Sequence, residues 1–216
     1  MRNGWLPPSL RDRHDAMRAL DAIATRRSIR RFAPREVSPT IVREMIAAAV
    51  AAPAPHHSRP WRFVEAGPEA RPRMSEAMAE AWGADAAADG LSGSRIESAL
   101  ARSRKQMAGA PLLLLACLEL DSARSWPDDR RRAAERDMYM QSLGAAVQNL
   151  LLAAHARGLG GYLKGAPLFC RPAVAEALAL PDGWEPAFLV LLGYPAEGAG
   201  PSERTPITAD DFLITR

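Results

Sequence analysis

Four arginines and one serine lie within seven residues near the N-terminus, in the segment RRSIRRF at positions 26–32. Guanidinium groups and a serine hydroxyl all donate hydrogen bonds, and such bonds are strong when the acceptor is a charged phosphate oxygen. The same composition is typical of a solvated basic surface or of a nucleic-acid patch. The spacing therefore leaves an anion site as one of three interpretations.

A second segment, PAPHHSRPWRF at positions 53–63, contains two histidines, two arginines and three prolines. Proline fixes its own backbone φ, so these side chains are expected on a rigid loop. Adjacent histidines can bind a metal, but a zinc site needs further ligands at a suitable spacing. His14 and His155 are isolated on predicted helices, and we therefore expect no metal site.

A third segment, GLGGYLKG at positions 158–165, contains four glycines in eight residues. Glycine lets the backbone approach a ligand closely because it has no Cβ. The segment does not match the GxGxxG dinucleotide pattern, since it follows a predicted helix rather than a strand. It is interpreted as a glycine-rich turn and short extended segment beside a ligand.

The hydrophobic pattern predicts the elements that would position these segments. Helices are predicted over 10–24, 39–52, 68–82, 94–107, 128–157 and 172–180, and strands over 61–66, 111–120 and 187–194. Ser38-Pro39 is a typical helix start, with a capping hydroxyl followed by proline. Residues 1–10 are expected to form a flexible arm, and residues 83–93, rich in small side chains, a mobile loop or lid.

Two features suggest a surface that a second chain would cover. The second half of the long helix, LGAAVQNLLLAAHA, is apolar nearly all round and must be buried. A dimer interface is one way to bury it. The C-terminal segment TPITADDFLITR ends in an extended apolar stretch, which suggests a strand that pairs elsewhere, on a partner chain.

The bulk composition bounds the class of protein. The 216 residues include 48% hydrophobic and 25% charged residues, which predicts a single α+β domain spanning residues 1–216. The net charge is +3 and basic residues alternate with acids, so we expect no nucleic-acid partner. With no leader-like N-terminus, no apolar run long enough for a membrane helix and only two cysteines, the chain is expected in the cytoplasm.

Taken together, the three segments resemble the nitroreductase family of FMN enzymes. Their order, and the GYP sequence at positions 193–195, match that family's pattern from about Ala22 to Phe212. The resemblance implies an FMN-dependent oxidoreductase with a central, mostly antiparallel sheet flanked by helices. It also implies a homodimer in which the C-terminal extension is swapped onto the partner, and a small-molecule substrate.

The resemblance carries FMN contacts over to ten positions: Arg26, Arg27, Ser28, Arg30, Ala54, Pro55, His57, Lys164, Gly165 and Arg204. The resemblance implies that the start of the first segment and Arg204 contact the phosphate and ribityl chain of FMN. It places Arg30 near the pyrimidine edge of the flavin ring. The second segment would reach the flavin from the other subunit, and a backbone N–H of the third would point at N5. The flavin carries the chemistry, and the proton comes from water, His56, His57 or Tyr162.

A narrower resemblance rests on three stretches of sequence: APAPHHSRPWRF, GAAVQNLL followed by RGLG, and LPDGWEPAFLVLLGYP. These stretches are similar to the C-terminal FMN-binding domain of bifunctional coenzyme F-420 biosynthesis enzymes, which implies a standalone reductase of dehydro-F-420-0. The chain carries His57 and Arg59 where the wider family usually has Asn and Gln, and Lys164 where a neutral residue is expected. The alternatives are a generic NAD(P)H-dependent nitro- or quinone reductase and a non-catalytic protein that binds FMN or a deazaflavin.

Overall fold

In the computed structural model of the chain, which describes residues 17–200 and 208–216, one antiparallel sheet forms the centre of the fold. Its strands are β1 (Trp61–Glu65), β2 (Leu112–Glu119), β3 (Gly160–Lys164) and β4 (Trp184–Gly193). They lie in the order β1-β2-β4-β3, and each neighbouring pair is antiparallel. The predicted antiparallel sheet and its three predicted strands are therefore confirmed.

Helices cover both faces of this sheet. They are α1 (Ala19–Thr25), α2 (Pro39–Ala49), α3 (Ala70–Ala88), α4 (Gly93–Ala108), α5 (Asp129–Ala156) and α6 (Arg171–Ala177). The predicted start of α2 is confirmed, since the Ser38 hydroxyl accepts a hydrogen bond from the Ile41 N–H at 3.4 Å. α2 ends at Ala49, before the predicted residue 52.

Successive side chains of β2 point to opposite faces of the sheet, and the core therefore has two halves. Leu112, Leu114, Ala116 and Leu118 face one cluster, which contains Tyr139 and Leu143 of α5 and Met45 of α2. Leu113, Leu115 and Cys117 face the other cluster, with Met74 of α3 and Val174 of α6. Because helices cover both faces, β2 is a nearly continuous apolar run rather than an alternating one.

The prediction of a mobile loop or lid at residues 83–93 is wrong. Residues 83–88 continue α3, and only residues 89–92 connect it to α4. The stretch is rich in alanine, which has the highest helix propensity, and Ala86 is buried. A Cβ on Gly83 would lie 3.9 Å from Ile96 Cγ2 of α4, so the two helices pack closely here.

Some apolar surface of the described chain has no cover within it. The face of α5 that points away from the sheet exposes 41% of the apolar Met138, together with Gly144 and the polar Gln148. Near the C-terminus, a single turn at Ala209–Asp211 is followed by Phe212, Leu213 and Ile214, each more than 70% exposed. The exchange of this tail between two chains stays a prediction, and the predicted arm at residues 1–10 lies outside the described residues.

Two features are absent from the described ranges, 17–200 and 208–216. No helix there is both long and apolar enough to cross a membrane. Within the same ranges, no three or more His, Cys, Asp or Glu side chains are grouped so that they could hold a metal ion.

Candidate functional site

The arginine-rich first segment lies directly on β3, although about 130 residues separate them in the sequence. Ser28 forms a parallel bridge with Gly161, and the Ile29 N–H donates to the Gly161 carbonyl at 3.1 Å. A Cβ on Gly160 would lie 2.6 Å from Ile29 Cβ, closer than real side chains approach. Glycine at position 160 is therefore required for the first and third predicted segments to meet.

Around this junction lies a group of polar side chains, here called the β3 cluster: Ser28, Arg30, Ser103, Gln106, Tyr162 and Lys164. The Arg30 guanidinium carbon lies 5.4 Å from the centre of the Tyr162 ring. The Tyr162 hydroxyl donates to Gln106 Oε1 at 2.9 Å, and Lys164 Nζ donates to Ser103 Oγ at 2.6 Å. The structure thus brings three predicted FMN contacts (Ser28, Arg30 and Lys164) and the predicted proton source Tyr162 together with two positions of α4.

Ser103 and Gln106 were missed by the sequence interpretation. Both lie on α4, three residues apart and hence on one face of the helix. That spacing was the available signal, but nothing local in the sequence says which strand α4 packs against. Their side chains hold Tyr162 and Lys164 in place through hydrogen bonds.

Burial alters the ionisation of two members of the β3 cluster. It raises the pKa of Tyr162 to about 12, against a smaller opposing effect of the Arg30 charge. Burial lowers the pKa of Lys164. Tyr162 therefore remains a hydrogen-bond donor at neutral pH, while Lys164 releases its proton more readily than a lysine in water.

The beginning of the first segment lies near the end of α5. Arg27 Nη1 donates to the carbonyls of Ala24 and Arg26 at 2.7 and 2.9 Å, which holds its guanidinium at the end of α1. Thr25 Oγ1 lies 2.8 Å from His155 Nε2. Burial and the charges of Arg26 and Arg27 lower the pKa of His155. The predicted phosphate end of the site is therefore a cationic region with a histidine that favours its neutral form.

The second predicted segment forms a strained loop before β1. His56, His57 and Arg59 have φ values of 52, 58 and 52°, a left-handed region that residues other than glycine rarely adopt. Hydrogen bonds hold the loop, one of them from the Ser142 hydroxyl of α5 to the Pro53 carbonyl at 2.7 Å. Strain of this kind is maintained by its surroundings and is frequent at ligand sites.

This loop borders an open cleft of about 1050 Å³, whose lining includes Ala54, His57 and Arg59. Pro55 begins the single turn Pro55–His57 at its edge. In the described part of the chain, no hydrogen bond or ion pair joins the loop to the β3 cluster. No direct polar contact therefore links Ala54, Pro55 and His57 to Arg30 and Lys164 within the described chain, and the predicted Arg204 lies outside the described residues.

A buried carboxylate holds the segment that precedes α5 and also lies near the strained loop. Glu135 of α5 is only 4% exposed, and it accepts hydrogen bonds from the Arg124 N–H at 3.1 Å and from Trp126 Nε1 at 3.2 Å. Its Oε1 lies 3.9 Å from His56 Nε2. The Arg124 bond is the largest cause of the lowered Glu135 pKa, with smaller contributions from Trp126 and His56, while burial opposes them.

We expect Glu135→Gln to lower the free energy of unfolding at neutral pH by about 1–3 kcal/mol, since it leaves a buried donor without its acceptor. The folded-state pKa of Glu135 is below its ordinary value of 4.5. Its stabilisation is therefore present above pH 4.5 and is lost as the pH falls through the lowered pKa. Denaturant unfolding over this range should show a steeper loss for the natural protein than for the variant.

The exposed Glu80 of α3 provides the control, and Glu80→Gln should leave unfolding close to that of the natural protein. Parallel acid-unfolding curves for the natural protein and Glu135→Gln would contradict the role given to Glu135.

Known proteins of one family are similar to this chain over most of its length. The profile of a family described as the nitroreductase family matches residues 23–194. A protein of Methanothermobacter thermautotrophicus, provisionally named NADH dehydrogenase/NAD(P)H nitroreductase, is 29% identical over 194 residues, covering 85% of this chain and 81% of its own. A protein of Bacillus subtilis, provisionally named NAD(P)H nitroreductase YfhC, is 27% identical and covers 90% of this chain and 92% of its own.

A solved structure is similar in both fold and sequence. It is a provisionally named nitroreductase from Desulfovibrio desulfuricans in complex with FMN, with a TM-score of 0.68 and 27% identity. The match covers 93% of this chain and 97% of that one.

Proposed function

Since this chain belongs to the nitroreductase family and is an FMN-dependent oxidoreductase, we propose that it transfers electrons from NADH or NADPH to a small nitro-aromatic or quinone acceptor. The names of the two relatives, both NAD(P)H nitroreductases, support this donor and this class of acceptor. The observation that carries the proposal for this chain is the β3 cluster, because it joins cations and hydroxyl donors from three distant parts of the sequence.

The donors at this site suit FMN, which has a phosphate at one end and a ring with carbonyl oxygens at the other. We assign Arg26, Arg27 and Ser28 to the phosphate and ribityl end, where cations and a hydroxyl are available. Arg30 is assigned to the pyrimidine edge, and the backbone at Lys164 and Gly165 to the ring. When bound, FMN supplies the two-electron transfer, and these residues bind and orient it.

The second half of the site is proposed to come from a partner subunit. Ala54, Pro55 and His57 lie on the strained loop, which borders a cleft that the chain itself leaves open. The uncovered face of α5 and the exposed apolar tail support a homodimer that would close this cleft. Arg204 is retained in the proposal as a further phosphate contact.

Anaerobic reduction tests the proposed donor and acceptor. The FMN-loaded protein is mixed with NADH or with NADPH, and the visible absorbance of the flavin is followed before an acceptor, nitrofurazone or menadione, is added. Bleaching by either nucleotide and recovery with either acceptor would support the proposal. If dithionite bleaches the bound flavin but neither nucleotide does, the proposed donor is rejected, and tight FMN binding without turnover would favour the non-catalytic alternative.

A second candidate, reduction of dehydro-F-420-0, is favoured by one specific feature. His56, His57 and Arg59 concentrate basic side chains on the strained loop beside the open cleft, which suits a phosphorylated and carboxylated substrate. The test is anaerobic incubation of the reduced, FMN-loaded protein with dehydro-F-420-0, followed by mass spectrometry. A protein-dependent gain of two hydrogens would establish this substrate, and an unchanged mass with reduced FMN present would reject it.

A further inference from the structure

A cavity of about 260 Å³ lies between α3, α4 and the turn Ala166–Phe169 that follows β3. We call it the α3–α4 pocket. Its walls are mostly apolar and include Met78, Trp82, Leu100, Phe169 and Cys170. Phe169 is 82% exposed and Trp82 is 39% exposed, so two aromatic rings that line the pocket also reach the surface. An apolar cavity edged by exposed aromatic rings is typical of a small-molecule site.

Two hydroxyl groups in the pocket have donor capacity that no contact uses. Ser75 Oγ is buried and has no hydrogen-bond partner in the described part of the chain. Ser103 Oγ accepts the hydrogen bond from Lys164 Nζ, which leaves its own hydrogen able to donate. Since buried polar atoms are nearly always paired, the Ser75 hydroxyl is available to an acceptor on a bound molecule. The pocket therefore suits a ligand that carries acceptor oxygens.

Among the described residues that line the pocket, the one charged side chain is already neutralised. Arg104, which also lines it, donates to both carboxylate oxygens of Glu76 at 3.0 Å. Burial, and to a smaller degree the charge of Asp85, raises the pKa of the Cys170 thiol, so this side chain remains a neutral part of the wall. A charged ligand would find no free counter-charge among these lining residues, and an uncharged ligand is favoured.

We propose that the α3–α4 pocket binds the apolar ring system of an uncharged aromatic acceptor whose carbonyl or nitro oxygens pair with Ser75 and Ser103. A cavity of about 150 Å³ holds one benzene ring, so the larger volume here has room for two fused rings, as in a naphthoquinone. Ser103 belongs both to the pocket and to the β3 cluster, which places the ligand beside the proposed flavin ring. This inference rests on the proposed function and adds the site that selects its acceptor.

The proposal is tested by a substitution on α4 that places a larger side chain in the pocket. Ala99 lines it and is half-buried, whereas Ala101 is exposed on the same helix and does not line the pocket. We expect Ala99→Phe to raise the dissociation constant of menadione for the oxidised, FMN-loaded protein by about tenfold or more, measured by calorimetry without NAD(P)H. Ala101→Phe is the matched control and should bind menadione like the natural protein.

A second variant and a second acceptor separate binding in the pocket from a general defect. Ser75→Ala removes one donor and should weaken menadione binding by about two- to tenfold. In turnover, both variants should raise the KM for menadione and leave kcat/KM for ferricyanide unchanged, because that small inorganic ion has no rings to bury. The FMN content should also be unchanged.

Each outcome decides the proposal. Equal menadione affinities for Ala99→Phe and Ala101→Phe, together with no effect of Ser75→Ala, would overturn it. The calorimetric measurement needs no electron donor. If NADH and NADPH fail to reduce the protein but menadione binding depends on Ala99 and Ser75, the proposed function fails and the pocket stands.

Discussion

Arg30→Ala is expected to weaken FMN binding by about ten- to a hundredfold while the chain remains folded. The side chain is exposed, and its structural contact is the Tyr162 ring at 5.4 Å, so its loss costs little stability. Hydrogen bonds from a charged donor contribute about 1.5–3 kcal/mol each, and about 1.4 kcal/mol corresponds to a factor of ten. The FMN dissociation constant, measured by fluorescence titration, checks the result.

Arg31→Ala is the matched control for this variant. Arg31 is also exposed and is the next residue of the same segment, but its Nη2 donates to the Gly198 carbonyl at 2.7 Å, away from the β3 cluster. It should retain FMN like the natural protein. An FMN dissociation constant for Arg30→Ala equal to that of Arg31→Ala would overturn the assignment of the pyrimidine edge.

Gly160→Ala is expected to reduce both stability and FMN affinity. The added Cβ would lie 2.6–2.9 Å from Cβ, Cγ1 and Cγ2 of Ile29. These atoms are at the base of the side chain and cannot all rotate away, so the backbone of the first segment must shift. Overpacking of this kind costs about 1–3 kcal/mol. The shift would also move Ser28 and Arg30, the neighbours of Ile29, away from the site.

Denaturant unfolding and FMN titration of the same preparation check this second expectation. Gly67→Ala provides the control, since a Cβ there would meet nothing within 4 Å, and both quantities should remain near those of the natural protein. If Gly160→Ala lowers stability but binds FMN normally, the close contact serves packing alone, and the role of the first segment in the site is contradicted.

Short-range patterns accounted for most of the secondary structure. The apolar run 111–120 gave a buried strand, and the Ser38-Pro39 pair gave a capped helix start, because burial periodicity and capping depend on nearby residues. The interpretation of residues 83–93 failed for a local reason as well. Small residues were treated as a sign of mobility, although alanine favours helix and lets α3 and α4 pack closely.

The sequence by itself determined the family, the cofactor and the segments that carry the chemistry, because these follow from the order and composition of short motifs. Only the tertiary structure decided which segments meet. It placed the Ser28 segment on Gly161 and brought Ser103 and Gln106 of α4 to Lys164. Within the described residues it joins the His57 loop to them by no hydrogen bond or ion pair. The physical reason is that such contacts join residues 56 to 133 positions apart, where packing of the two cores, and not local preference, sets the distance.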